Sequence, residues 1–231
     1  SGRLSSVIDV RTNDGDMQKF HGMLSIGLLT SKINLEGPII KGKTSFNISA
    51  RRSYLDLLAK PFMPDDEKYS YYFYDMNAKI NHKFSDRSRM FLSAYHGKDH
   101  FAADYDGNTD FKDGSNMGWG NTIVSARWNY IFNNQLFSNT TVSYNNYLFD
   151  VNAYTNNQYS TGAGAIILNR YSSNYHSGIT DWSYQIDFDY NPTPAHHIKF
   201  GTGYLFHRFQ PDVTTSVISD KKIGRASCRE R

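Results

Sequence analysis

Cysteine is nearly absent from this chain: one of the 231 residues, Cys228, carries a thiol. A disulfide framework is excluded, and thiol chemistry is excluded from the body of the chain. Long hydrophobic runs are missing too. No stretch approaches the roughly 18 to 20 consecutive apolar residues of a membrane-spanning helix, which excludes a helical membrane protein but not a β-barrel. Excess charge of one sign is also lacking once the C-terminus is set aside. Lys222–Arg231 breaks the preceding pattern abruptly and reads like a translated sequencing adapter, so it is left out of the fold reasoning. It holds four basic residues and one acidic residue, so the 25 basic and 22 acidic residues of the whole become 21 of each, and the lone cysteine goes with it. A balanced chain gives no argument for nucleic-acid binding. The N-terminus shows neither a start methionine nor a secretory leader, and the expectation is an internal piece of a longer protein.

Aromatics are what the chain has in abundance. Seventeen Tyr and 15 Phe accompany a mean hydropathy of −0.59, so the apolar residues must be interleaved with polar ones. Period-two alternation dominates from about residue 44. In Thr44–Tyr54, Phe46, Ile48, Ala50 and Tyr54 share one face and Ser45, Asn47, Ser49, Arg51 and Ser53 the other. Tyr72 to Phe84, Thr122 to Phe132, Trp182 to Tyr190 and Ile198 to Phe206 repeat the pattern. Arg89–Gly97 leaves its face assignment open, Gln135–Phe149 alternates only to Tyr144, and Phe20–Ile40 is read as two strands about a turn near Leu29–Ser31.

Short connections are expected at Lys41–Lys43, Ser85–Ser88, Asn133–Asn134 and Pro192–Ala195, and long polar loops at roughly 55–70, 98–118 and 150–175. Sorting of short turns to one rim and long loops to the other is the signature of an up-and-down transmembrane barrel. The alternating runs of about 9 to 13 residues exceed the usual strand and match what a tilted strand needs to cross a bilayer. The reading is all-β: about nine strands of a larger antiparallel up-and-down transmembrane β-barrel, whose two open edges call for completion by further strands.

Gly2-Arg-Leu-Ser-Ser-Val-Ile-Asp-Val-Arg-Thr-Asn-Asp-Gly15 resembles the last plug strand of TonB-dependent outer-membrane receptors. Phe20-His21-Gly22, Leu35-Glu36-Gly37-Pro38-Ile39, Thr44-Ser45-Phe46 and Ala50-Arg51-Arg52-Ser53-Tyr54 resemble the first three barrel strands of receptors common in Bacteroidota. The resemblance implies that residues 1–17 end a plug domain and 18–221 begin the transmembrane barrel. It also implies active import of a nutrient (chelate, cobalamin, glycan or peptide) across the outer membrane of a Gram-negative bacterium. Its partners would be TonB with its inner-membrane energising complex, reached through a segment this sequence lacks, and outer-membrane lipid. It implies no enzyme activity and no cofactor. The rival readings are another outer-membrane barrel, either a porin or a barrel enzyme, and a soluble extracellular glycan-binding sandwich or adhesin.

Candidate ligand contacts are Arg51 in the lumen and the aromatics Tyr147, Phe149, Tyr154, Tyr159 and Tyr171. The aromatics can stack on a sugar or chelate, or pack the loops on one another. Arg51 suits a ligand or, more simply, a salt bridge within the lumen. Asp104, Asp106, Asn108 and Asp110 alternate like the start of a calcium loop, but Thr109 stands where the loop's glycine belongs and no acidic residue closes it, so no metal is expected. His196–His197 at a turn point to opposite faces. His96, His100, Asp99, Asp104 and Ser115 lack a nucleophile motif, and no catalytic residue is assigned.

Overall fold

The computed structural model describes residues 12–108, 111–160 and 166–222. Residues 1–11, Asp110 and 223–231 lie outside that set, and with them most of the plug-like segment and nearly all of the adapter-like tail. Nine strands follow in chain order: β1 His21–Ile26, β2 Thr30–Ile40, β3 Thr44–Ser53, β4 Glu67–Ser85, β5 Ser88–Asn108, β6 Phe111–Ile131, β7 Leu136–Ser160, β8 Ile166–Thr193 and β9 His196–Lys222. They form one antiparallel sheet in the order β1 to β9, each strand bonded to its sequence neighbour. The sheet is up-and-down and not closed. A short helix, α1 (Leu55–Ala59), and a 3-10 turn at Lys60–Phe62 bridge β3 to β4.

The short turns fall where Gly, Asn, Asp, Ser and Pro predict them. Gly42, at φ +72°, closes the β2–β3 turn in a conformation that favours glycine. Asn133 Oδ1 accepts from the backbone N–H groups of Gln135 and Leu136 in the β6–β7 turn. The long connections differ from expectation. Residues 98–118 and 150–175 do not form loops over most of their length; they continue β5–β6 and β7–β8 as hairpin ribbons, giving strands of 21 to 28 residues instead of 9 to 13. The reason is physical. A ribbon wetted on its back face loses apolar alternation in the expected phase while its backbone ladder continues unbroken.

Strict parity runs through the sheet. Between β5 and β8, register shifts are confined to Asp106/Asn108 near one hairpin tip. One face therefore carries Asn47, Arg51, Asp75, Lys79, Asn81, Ser93, Ser125, Arg127 and Ser143, and the other Ile48, Met76, Leu92, Val124, Val142 and Trp182. The open assignment in Arg89–Gly97 is settled: Met90, Leu92 and Ala94 join the apolar face, Phe91 and Tyr95 the polar one.

The sheet's burial is inverted relative to a water-soluble fold. Polar Ser45, Asn81 and Lys79 are 0%, 2% and 7% exposed, whereas Met76, Trp182 and Phe200 are 52%, 53% and 53% exposed. Among the described residues the one buried hydrophobic side chain is Phe91. Apolar side chains form a belt across the outside, edged by aromatics. Near the short turns Trp128, Tyr130, Phe132, Phe188 and Phe200 follow one another at ring separations of 4.8 to 6.4 Å. Toward the other edge Tyr72 stacks on His100 and Tyr144 meets Trp182.

The belt also slants across the strands. Its centre is Leu24 in β1 and Ile186 in β8, yet cross-strand partners lead from Leu24 through Ile33, Ala50, Met76, His96, Thr122 and Asn146 to Thr180. Six residues of drift over seven strand steps is about 20 Å against about 34 Å, a slope of roughly 30°. A planar apolar slab crossed by tilted strands produces this drift, and the slope is close to the inclination of about 35 to 45° typical of transmembrane barrels.

Residues 12–17 lie on the polar face. Lys79 Nζ is 2.5 Å from Asp14 Oδ1 and donates to the Thr12 carbonyl at 3.0 Å. Ser45 Oγ donates to the Asp14 carbonyl, Glu36 accepts from Asn13 and Asn47, and the Gly42 N–H donates to the Met17 carbonyl. Gly15, at φ +79°, brings the backbone so close that an added Cβ would sit 2.3 Å from the Phe46 carbonyl oxygen. Just beyond, the Asp16 carboxyl is held below its ordinary range, first by the Gln18 N–H and then by His21 and the Lys19 N–H. Replacing Gly15 by Ala, or Lys79 by Met, is expected to release this segment. For Lys79→Met, loss of a charge-assisted hydrogen bond of about 1.5–3 kcal/mol should speed proteolytic cutting within residues 12–20 by about tenfold or more. For Gly15→Ala, the clash with the Phe46 carbonyl should speed it likewise. Both are read as cleavage rates in mild detergent.

Candidate functional site

Two surfaces on the inward, polar face gather the chemistry. The lower is a groove of about 1100 Å³ whose lining includes Asp14, Arg51, Asp75, Lys79, Phe91 and Arg127. Its lining spans β3 to β7 on one face, so the sheet is concave there. Arg51 donates through Nε to Asp75 Oδ2 at 2.7 Å, its second contact to the same oxygen is 2.6 Å, and its guanidinium lies 5.0 Å over the Phe73 ring. It is paired within the polar, concave face of the sheet. Phe91 is ringed by cations, with Arg127, Lys79 and Arg89 at 4.5, 5.4 and 5.7 Å from its centroid. Three cations on one buried ring keep an apolar side chain compatible with a polar face.

The upper surface lies on the ribbons beyond the belt. There the amphipathic sense of the sheet reverses. One inward row reads Phe73, Asp99, Trp119, Phe149, Ser177, Pro211; the next reads Tyr71, Phe101, Met117, Val151, Tyr175, Val213. The outward row between them is Tyr72, His100, Gly118, Asp150, His176, Asp212. Aromatic and aliphatic side chains thus turn inward where the back becomes polar. Phe149 and Tyr175 meet edge to face at 6.0 Å, and Tyr71 donates its hydroxyl to Asp99 at 3.1 Å. A pocket of about 230 Å³ joins the two surfaces, with Arg51, Tyr71, Phe73, Asp75, Tyr95 and Asp99 in its wall.

The aromatics singled out from sequence divide accordingly. Tyr147, Phe149 and Tyr171 belong to the inward face, with Tyr147 in register with Asn121 and Ile179 and Tyr171 with Thr155 and Val217. Tyr154 faces outward. Its hydroxyl donates to Asp104 at 3.0 Å, and burial first, then that hydrogen bond, raises its pKa. The Tyr159 side chain lies outside the description, though its backbone pairs with Ile167. Sequence reading missed Phe73, Phe101, Trp119, Met117 and Tyr175, although odd-numbered positions in 99–119 already carry the apolar residues.

Asp104 and Asp106 lie on an extended strand on the outward face. Asp106 pairs with Lys112 at 2.9 Å and Asp104 accepts from Tyr154. The Asn108 side chain and Asp110 lie outside the description. No group of three or more His, Cys, Asp or Glu side chains that could hold a metal ion occurs among the described residues. His96 and His100 face outward, whereas Asp99 and Ser115 face inward, so these residues do not converge. His196 and His197 separate, one bonded to Thr193 and the other to Asp189. Arg52 faces outward, 3.3 Å from Asp56 and 5.3 Å over the Tyr72 ring.

No family model matches the chain, and no curated protein matches it. Among solved structures it is similar to the siderophore receptor PirA from Acinetobacter baumannii, at 9% identity and a TM-score of 0.26. That match covers 84% of this chain and 38% of the receptor's. The chain therefore spans less than half of that receptor's length, and a likeness this distant carries no argument about fold or function.

Arg51 and Asp75 should prove coupled. Arg51→Ala and Asp75→Ala together are expected to destabilise by less than the sum of the single changes, with a coupling of about 1 kcal/mol because Arg51 is half exposed. Denaturant midpoints of the four proteins in detergent measure it.

Proposed function

We propose that this chain belongs to an outer-membrane β-barrel receptor of the TonB-dependent type, importing a nutrient across the outer membrane of a Gram-negative bacterium. The observation that carries this reading is the inverted burial of the sheet: a slanted, aromatic-edged apolar belt is exposed on the outside while polar and ionic groups are buried inside. A soluble sandwich would bury the belt against a second sheet, and hydrocarbon is the medium in which the belt needs no protein cover. No helix among the described residues is long and apolar enough to span a membrane. In this reading the strands cross it.

The docking of residues 12–17 on the inward face supports the receptor reading over a plain porin. A chain entering from upstream and clamped to the lumen is what a plug preceding the barrel requires. In this reading the protein is not an enzyme, needs no cofactor, and meets TonB and its energising complex through an upstream segment. Ligand enters past the ribbons, which stand above the belt at the outer rim.

Tryptophan placement gives the test. Trp128 and Trp182 lie on the outward belt, 47% and 53% exposed, and Trp119 faces inward on a ribbon. In vesicles of lipid brominated along the acyl chains, variants keeping Trp128 or Trp182 alone should be strongly quenched, and the variant keeping Trp119 alone should respond instead to aqueous iodide. Equal quenching of all three by iodide, with none by bromolipid, would return the soluble sandwich to the front.

A further inference from the structure

The inward surface of the ribbons has a composition that selects among ligands. It is bounded below by the row Phe73–Asp99–Trp119–Phe149–Ser177–Pro211 and above by Glu67–Tyr105–Asp113–Thr155–Tyr171–Val217. Across that span, through the rows that include Phe101, Met117, Tyr175 and Ser115, the inward face of β4 to β9 holds no lysine and no arginine. Its charged side chains are Asp99, Asp113 and Glu67. The nearest inward cation is Arg51, and it is matched by Asp75. A ferric catecholate, a phosphate ester or any other anionic ligand would meet carboxylates here with no cation to neutralise it, which is the wrong sign.

What the surface does offer is flat apolar area beside hydrogen-bond acceptors. Trp119, Phe149, Phe101 and Tyr175 present rings that are only partly covered, Phe101 and Tyr175 being 37% exposed. Asp113 Oδ1 and, one row below Trp119, Asn121 Oδ1 are buried yet accept no hydrogen bond from the protein. Buried acceptors left without partners are costly unless a donor arrives. Rings for stacking plus carboxylate and amide oxygens for accepting hydroxyl protons fit a sugar. A pyranose has an apolar C–H face on one side and hydroxyl donors around its edge, and it carries no charge. With only three carboxylates on the face, one each on β4, β5 and β6 and none on β7 to β9, salt bridges to a basic peptide cannot be the main source of affinity.

We infer that the inward aromatic face of the ribbons, centred on Trp119 and Phe149, binds neutral glycans. The inference rests on the receptor reading above and names its ligand class. The acceptors Asp113 and Asn121 supply hydroxyl recognition and the rings supply stacking.

The experiment uses the full-length protein in detergent or vesicles with Trp128→Phe and Trp182→Phe, so that Trp119 is the sole reporter within this chain's span. Neutral glucan, xylan and galactan oligosaccharides are titrated, with a ferric catecholate chelate and an oligo-lysine peptide as the comparison ligands. Saturable protection of Trp119 from iodide by at least one neutral saccharide is expected. Removing one stacking ring, in Phe149→Ala or Tyr175→Ala, should weaken that binding about tenfold. Asp113→Ala should weaken it too, and the outward Tyr154→Phe should leave it unchanged. Resistance of each variant to unfolding in detergent checks that the fold survives. Absence of saccharide protection, or preference for the chelate or the basic peptide, overturns the glycan assignment. Bromolipid quenching of Trp128 and Trp182 in the parent protein is read separately, so failure of the membrane reading and failure of the ligand class are told apart.

Discussion

Where water cannot reach, every backbone N–H and C=O must find a partner in the protein, since each unpaired group in hydrocarbon costs several kcal/mol. An antiparallel ladder meets that demand strand by strand, and this sheet is little else: nine strands, each bonded to its neighbour in sequence. Once the ladder is obligatory, side chains alternate between the two faces wherever the register runs unbroken, and the sequence can change only which chemistry each face presents. The breaks lie at the strand ends, near the turns. The long register from β5 to β8, shifted only at Asp106/Asn108 near one hairpin tip, expresses that constraint. A bulge in the middle would rotate every later side chain to the wrong face.

Within that frame the chain writes two amphipathic messages on one ladder. Around the belt, apolar residues face out and polar residues face in, with Phe91 admitted inward only under a cover of three cations. Past His96, Thr122, Asn146, Thr180 and Arg208 the outward row turns polar, and on the inward rows aromatic residues take over. In the proposed membrane reading, the crossover marks where hydrocarbon gives way to water. It also explains why the ribbons can stand free of the belt. Their polar backs are content in water, and their apolar fronts face a shared interior in which ligand contact and mutual cover are both possible.

Much of this was legible in the sequence, and what was missed has a definite cause. Phe46, Ile48 and Ala50 against Ser45, Asn47 and Ser49 announced strand and face at once, as did Trp182 to Tyr190. The short turns followed from Gly42, Asn133 and Pro192. The ribbons did not, because the search was for apolar residues in a fixed phase. Lys98, His100 and Asp104 interrupt that phase and read as loop, although Phe101, Met117 and Trp119 keep the same period in the opposite phase. The candidate site suffered accordingly. Tyr147, Phe149 and Tyr171 were found as loop aromatics, but Trp119 and Phe101 were passed over, and Tyr154 was grouped with residues from which parity separates it. No pattern within a single segment could have paired Arg51 with Asp75, 24 residues away, since that contact depends on the β3–β4 register.

The way residues 12–17 are held bears on how such a protein can work. Their contacts are hydrogen bonds and an ion pair: Ser45 to the Asp14 carbonyl, Lys79 to Asp14 and Thr12, Asn13 to Glu36. An apolar seam would be dry, and opening it would expose hydrophobic area all at once. A polar seam can be exchanged for water one bond at a time, at a net cost of about 0.5–1.5 kcal/mol for each neutral bond. Gly15 sharpens the arrangement, because its left-handed backbone lets the chain lie directly on the Phe46 carbonyl without a side chain between. The segment is thus fixed in place by shape and held by exchangeable bonds. If, as proposed, this segment ends a plug, that combination suits an element which must seal a hydrated interior at rest and yield there without unfolding the ladder around it.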